Sequence, residues 1–352
     1  MPAARPLRSD LLPRGRDAVT ILALDGGGIR GIIPARVVEA LEDRTGMPAC
    51  RLFDLVAGTS TGGILALALT TPGPDGRTPA YPASALVGMY RARGPEIFRR
   101  SLAHSVRTLY GLAGPRYGAE PLERVLREYL GSARLSAALA PVLVTSYDTV
   151  EAAPYLFKSY RERSTAIAGS GVPDDHLLWQ AARATSAAPT FFPPFLLPRA
   201  GAGGRARCLV DGGVYANNPA MCALADAYKL FGGARSRYLV VSIGTGKDDL
   251  RLSYGQVKGR GLLRWAIPIL KIAFDGVSDT VDYQASEMAD RAWRFQADDV
   301  EQELDDASPD AIRRLVAAAD ALVERRRSEL DELARVLRAN VAAMGALAER
   351  QS

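Results

Sequence analysis

The stretch VAGTSTGGILALAL, residues 56–69, limits the folds open to this chain more than any other. An apolar run, Leu52 to Ala57, stops at Gly58, and a second apolar run starts at Gly63. Between them stands Gly58-Thr59-Ser60-Thr61-Gly62, a G-x-S-x-G pentapeptide with strand-like sequence before it and helix-like sequence after it. That is the setting of a nucleophile elbow, where a serine sits on a sharp strand-to-helix turn. Glycines at minus two and plus two, Gly58 and Gly62, remove the Cβ atoms that would collide in so tight a turn. The helix that follows aims its free N–H groups and the positive end of its dipole at the serine. Ser60 is therefore a candidate nucleophile. On the pentapeptide alone, an ordinary Gly/Ser turn between a buried strand and a helix fits equally well.

The chain around the elbow alternates. VTILALD (19–25) reads as a buried strand and 34–45 as a helix, with Pro34 in its first turn and Gly46 at its end. Proline and glycine make 71–82 a loop. Helical patterns follow at 84–93 and 119–130, strands at 141–149 and 153–160, and a helix at 177–189 stopped by Pro189. Residues 191–198 are apolar but broken by proline. A strand at 208–213, a helix at 219–231 and a strand at 237–246 continue the series. Strands alternating with helices predict an α/β fold, a mostly parallel sheet covered on both faces. From 309 to 349, Leu315, Val316, Ala319, Leu322, Val323, Leu330, Leu333, Val336 and Leu337 recur at helical spacing. They predict an amphipathic helix or helix pair packed on the core, since the heptad is not clean enough for a dimer seam. Residues 1–17 read as a loose lead-in rich in Arg and Pro.

Composition narrows the function classes. At 352 residues and 48% hydrophobic, the chain has ample material for a core. A net charge of +5 does not compel binding to a nucleic acid polymer, although it permits attraction to anionic lipid. Cys50, Cys208 and Cys222 form no metal or disulfide pattern, which suits a reducing, cytoplasmic compartment. The N-terminus lacks the continuous apolar core of a signal peptide, and no apolar run reaches the ~18–20 residues that span a bilayer. The expectation is a soluble protein, or one held peripherally at the inner membrane surface. Residues 261–274 (GLLRWAIPILKIAF) admit two readings. The plainer one is a buried segment packed on the domain; the other is an interfacial element through which lipid reaches Ser60.

Three glycine turns each follow a strand: DGGGIRG at 25–31, GTSTG at 58–62 and DGG at 211–213. In parallel sheets, sites form where strand ends share an edge, so the three turns are expected to converge. Gly26, Gly27 and Gly28 offer backbone N–H groups to an oxyanion, Arg30 offers fixed positive charge, and Asp211 offers a carboxylate before Gly212 and Gly213. Residues 26–31 also match the G-x-G-x-x-G dinucleotide fingerprint, which would make the chain an oxidoreductase. That fingerprint needs an acidic residue at the end of the second strand; the candidate, Asp54, lies near the start of its run. Ile64-Leu65 stand where a phosphate loop requires Lys and Ser/Thr. A hydrolase triad expects a histidine after the acid, and none follows Asp211. His104 and His176 both precede it and read as surface residues. A carboxylate is left as the base for Ser60, acting directly on the hydroxyl.

The ordered set DGGGIRG, GTSTGG and DGG resembles that of the patatin-like phospholipases. So do AARATSAAPTFFPPF (181–195), DGGVYANNPA (211–220), VSIGTG (241–246) and the FQ…LDDASPD region (295–310). The resemblance spans roughly residues 19–310, leaving a lead-in at 1–18 and a helical region at 311–352. It implies a three-layer α/β/α sandwich of patatin type with a helical C-terminal portion, and hydrolysis of fatty acyl esters of membrane phospholipids or other glycerolipids. Carried over by motif, Ser60 is the nucleophile, Asp211 the proton acceptor, Gly27 and Gly28 with their neighbours the oxyanion hole, and Arg30 a contact for substrate phosphate. Gly31, Gly212 and Gly213 belong to the motifs. No metal and no cofactor are implied. Some bacterial members of the family are antiphage effectors switched on by cyclic nucleotides, so a cyclic nucleotide activator is a further implied partner. The alternative within the same fold is a lipid-binding or storage protein with negligible turnover.

Overall fold

The computed structural model describes residues 18–99, 114–168, 175–198, 206–233, 236–247, 253–259, 261–298, 300 and 302–349. Eight strands make one sheet: β1 (Val19–Leu24), β2 (Leu55–Gly58), β3 (Val142–Asp148), β4 (Ala153–Lys158), β5 (Phe195–Leu197), β6 (Arg207–Asp211), β7 (Tyr238–Ile243) and β8 (Arg291–Phe295). Their order is β5-β6-β3-β2-β1-β7-β8, with β4 on β3 beside that path. The central block β3-β2-β1-β7-β8 is parallel throughout, and β4, β5 and β6 pair antiparallel.

The centre of the sheet is buried on both faces because β1, β2 and β7 are almost wholly apolar, with odd and even residues serving different cores. Leu22 and Leu24 of β1 face one cluster, with Val56, Val144 and Val241. Val19, Ile21 and Ala23 face the other, with Leu55, Ala57 and Val240. The first cluster is completed by helices Ile32–Thr45, Thr61–Thr70 and Leu178–Thr185, the second by helix Ala220–Leu230 and by Ala285 of helix Leu262–Met288. The result is a three-layer α/β/α sandwich. Helices Pro309–Arg325 and Arg327–Glu349 lie against the first layer, where Leu315, Leu322, Leu330, Leu333 and Leu337 are buried. Arg36 reaches Asp320 and Arg44 reaches Asp331, each at 2.8 Å.

Element ends differ from the sequence pattern in three places. Leu52 does not open β2: Pro48 starts a one-turn helix, Ala49–Leu52, whose first N–H is held by Glu42 Oε1 at 2.9 Å, and the strand begins at Leu55. The helix before Pro189 stops at Thr185. Just beyond it the chain is tied to the end of β6, where the carbonyl of Ala187 accepts from Asp211 N at 3.0 Å. The strand expected over 153–160 gives way to a helix at Ser159, whose hydroxyl accepts from Val142 N at 2.8 Å.

Candidate active site

β2 and β6 meet head to head. β4 occupies one edge of β3 from Leu143 to Asp148, so β2 and β6 share the other edge. There Gly58 pairs with Val144, and Asp211 pairs with Ser146 two residues further on. β2 leaves the sheet at Gly58, and β6 arrives from the opposite direction and ends at Asp211. Ser60, two residues past Gly58, therefore stands at the level of Asp211. The first two glycine turns do share the edge of a parallel pair, as expected. The third differs: it comes in on an antiparallel strand.

The elbow is sterically determined. Ser60 has φ 55° and ψ −124°, a left-handed conformation that costs a non-glycine residue ~1–3 kcal/mol. A Cβ on Gly58 would lie 2.2 Å from the carbonyl oxygen of Gly62, and one on Gly62 would lie 2.1 Å from that of Leu24. No side chain fits at either position. Ser60 N donates to Thr185 Oγ1 at 2.8 Å, and Thr59 Oγ1 donates to Ala216 O at 2.6 Å, so the turn is pinned on both flanks. The Ser60 hydroxyl stands beside the carboxylate of Asp211, near enough to favour its charged form, and Asp211 Oδ1 accepts Gly213 N at 2.7 Å. Burial pushes the Asp211 carboxyl up to about 7, against the downward pull of those two groups.

In front of the pair opens a cavity of about 970 Å³. Its walls are largely apolar: Met89 and Ile97 from helix Ala83–Ile97, Leu122 and Leu126 from helix Glu120–Leu130, Phe191 and Phe192 from the loop between helix Leu178–Thr185 and β5. Residues 303–309 close another side, fastened by Asp305, which accepts from Arg116 Nη1 at 2.5 Å and from Tyr117 Oη at 2.7 Å.

The glycine turn sits beside Ser60. Gly27 and Gly28 line the cavity; Gly26 does not, and its N–H is committed to Asn217 O at 3.1 Å. Of the three glycines expected to serve an oxyanion, two therefore line the cavity, and no backbone hydrogen bond among the described residues engages their N–H groups. Gly28 holds φ +59°, and a Cβ there would meet Leu304 O at 2.1 Å. Behind the turn, Thr245 Oγ1 donates to Gly26 O at 2.8 Å. Asp25 takes two hydrogen bonds from Arg294, at 2.6 and 3.1 Å, and Arg294 also donates to Ser242 Oγ at 2.7 Å. Burial raises the Asp25 carboxyl, and the guanidinium works against that rise. Thr245 and Arg294 do not appear in the sequence reading as site residues. The VSIGTG segment points to the first, and no local signal marks the second.

Arg30 is buried, at 6% exposure. It lines a second cavity of about 130 Å³ behind the glycine turn, together with Thr245, Lys247 and Asp279. It is not part of the large cavity's wall. His176 is buried too, which corrects the expectation of a surface residue: its Nδ1 lies 3.2 Å from Glu162 Oε1, and Phe157 packs edge-on against the ring. It stands before the N-terminus of helix Leu178–Thr185, whereas Ser186, past the other end, lines the cavity. His104 lies outside the described residues. The carboxylate of Asp54, which a dinucleotide fold would turn to a ribose, is instead taken by Thr20, through N at 2.8 Å and Oγ1 at 2.9 Å. Among the described residues no cluster of His, Cys, Asp and Glu could hold a metal ion, and no helix is long and apolar enough to cross a membrane.

The family model of the patatin-like phospholipases matches residues 22–224. The chain belongs to the patatin-like phospholipase family. Patatin-like protein 2 of Arabidopsis thaliana is 32% identical over 339 residues, covering 88% of this chain and 81% of that protein. Patatin-T5 of Solanum tuberosum is 32% identical over 342 residues, covering 88% and 84%. Among solved structures, human GIVD cytosolic phospholipase A2 in complex with methyl gamma-linolenyl fluorophosphonate aligns at a TM-score of 0.48 and 15% identity, over 96% of this chain and 61% of that one. This patatin-like phospholipase is a serine-dependent lipid acyl hydrolase. Its large apolar cavity beside a strained serine is in keeping with that chemistry.

Proposed function

We propose that this patatin-like phospholipase cleaves fatty acyl esters of membrane glycerolipids with a Ser60–Asp211 dyad, working at a membrane surface. The observation that carries the reading is a serine in a left-handed elbow set beside a buried carboxylate, both on the wall of a large, mostly apolar cavity. Asp211 accepts the hydroxyl proton as Ser60 Oγ attacks the ester carbonyl. The oxyanion lies against the N–H groups of Gly27 and Gly28, and the glycine turn's fastenings behind it keep those dipoles in place. Collapse expels the glycerol oxygen, which takes the proton back from Asp211. Asp211 then removes a proton from water, which attacks the acyl-enzyme, and the fatty acid leaves with Ser60 restored. Arg30, expected as a contact for the substrate phosphate, lies off the large cavity's wall, so it contributes fixed positive charge from behind the turn and no direct contact.

The test is labelling with a serine-reactive fluorophosphonate, mapped by mass spectrometry, beside lipid analysis of membranes incubated with wild type and Ser60→Ala. Label on Ser60 and released fatty acid in the wild type alone are expected. No label and no release would favour lipid storage. Activation by a cyclic nucleotide in an antiphage role rests on the family resemblance alone; a panel of cyclic nucleotides that leaves kcat unchanged would remove it.

A further inference from the structure

Helix Leu262–Met288 has two faces of different character. Ser278 and Ala285 are buried against the domain, and Phe274 lines the acyl cavity. On the other side Trp265, Ile269, Ile272, Gly276, Thr280 and Tyr283 recur at steps of three and four. At 3.6 residues per turn these six fall within about 80° of the circumference, over about 27 Å of helix. Ile269 is 51% exposed, Ile272 41% and Tyr283 66%, while Trp265 is half-buried. None of the six is charged. The one hydroxyl among the smaller residues, Thr280 Oγ1, donates to Gly276 O at 2.8 Å and so makes no demand on water. Asp279, at the flank, is engaged by Lys247 at 2.9 Å. Four of the eight large hydrophobic side chains exposed among the described residues stand on this one helix: Ile269, Ile272, Tyr283 and Met288. Such clustering marks a contact surface, where single exposed apolar residues would mark nothing.

We infer that this stripe is the surface by which the enzyme lies on a lipid bilayer. The inference rests on the proposed glycerolipid hydrolysis and adds where the bilayer sits. Two observations choose lipid over another occupant. Pro268, one residue before exposed Ile269, lines the same cavity as Ser60, so the stripe borders the route an acyl chain takes into the site. Its chemistry is also that of an interfacial helix, with aliphatic side chains at the centre and Trp and Tyr at the ends, where an amphipathic ring is at home between acyl chains and headgroups. Pressed onto a bilayer, the helix shortens the path of an ester from membrane to serine.

The experiment uses Ile269→Asp with Ile272→Asp in the full chain, and vesicles of phosphatidylcholine and phosphatidylglycerol. Vesicle binding by cosedimentation should fall at least about tenfold, and lipid hydrolysis should fall with it. Hydrolysis of a soluble nitrophenyl butyrate should stay within about twofold, since neither residue lines the cavity; this also reports that the variant is folded. In the wild type, vesicles should shift the fluorescence of Trp265 to the blue, because Trp179 and Trp293 are already buried. Unchanged vesicle binding in the double variant would overturn the inference. So would a wild type that dimerises through the stripe, with the double variant monomeric and binding vesicles as before. A wild type that binds vesicles through the stripe but hydrolyses no ester would sink the hydrolase reading and leave the surface standing.

Discussion

The glycine turn at 26–28 divides two regions built on opposite plans. In front lies an apolar cavity of about 970 Å³, walled by Met89, Leu126, Phe192 and their neighbours. Behind lies a space of about 130 Å³ lined by charge, with Asp25, Arg30 and Lys247 on its walls; Thr245 donates to Gly26 O, and Arg294 pairs with Asp25 beside it. The difference separates two tasks. Three glycines in a row have the most backbone freedom to lose, so the turn must be fixed by something other than its own side chains. Directional bonds to charged partners do that, because an ion pair with two hydrogen bonds tolerates little displacement. The apolar side has the reverse character: volume walled by side chains that make no directional demands.

The pair at the boundary should show the largest effect. Ser60→Ala and Asp211→Asn should each lower ester hydrolysis by at least about 10⁴-fold, and the double variant should lose little more, because members of one unit are not additive. Asp211→Asn should also stabilise the protein. The folded carboxyl titrates near 7, above its ordinary 3.8, so between those values the folded state holds the extra proton and stability falls as pH rises. The variant should therefore melt above wild type at pH 8 and alongside it at pH 4, by calorimetry.

On the charged side, Arg294→Lys keeps the charge but loses the planar pair of donors to Asp25. If the ion pair positions the turn, kcat per titrated active site should fall roughly 10–100-fold with KM little changed, since a small misplacement of oxyanion donors acts on the transition state. A loss of titratable sites with normal kcat in those remaining would mean a structural role only. On the apolar side, Leu126→Trp should shift the ratio of long-chain to short-chain ester hydrolysis about tenfold towards short chains. An unchanged ratio would place the acyl chain elsewhere. The smallest effect should come from His176→Gln, which touches neither region. It should lower the melting temperature, because Glu162 loses its buried partner, and leave kcat within about threefold.

How much of this was legible depended on whether the cause is local. The elbow could be read because its steric demands fall within five residues, and the structure shows the clash at Gly58 and Gly62 that the pattern implies. Asp211 could be found from its glycines, but the reason it meets Ser60 could not. A parallel edge was expected, and instead β6 arrives head-on along β3. Arg294 stands 269 residues from Asp25 in a segment with no motif of its own, so nothing near it announced the pair. Leu52 looked like a strand residue because it is apolar and buried, properties that a one-turn helix on the same core shares. His176 looked like a surface residue because polar neighbours precede it; its burial follows from Glu162, fourteen residues earlier.

The central claim is that a buried carboxylate, and no histidine, activates Ser60. The measurement that reaches it most directly is the rate of fluorophosphonate labelling at Ser60 as a function of pH. The wild type should show one acid limb, with labelling falling as pH drops through about 7, where Asp211 takes up its proton. A variant with His104 and His176 both replaced by Gln should keep that limb and most of the rate, and Asp211→Asn should label slowly at every pH with the limb gone. A limb that persists in Asp211→Asn, or vanishes in the folded histidine variant, would contradict the dyad and name a histidine as the base.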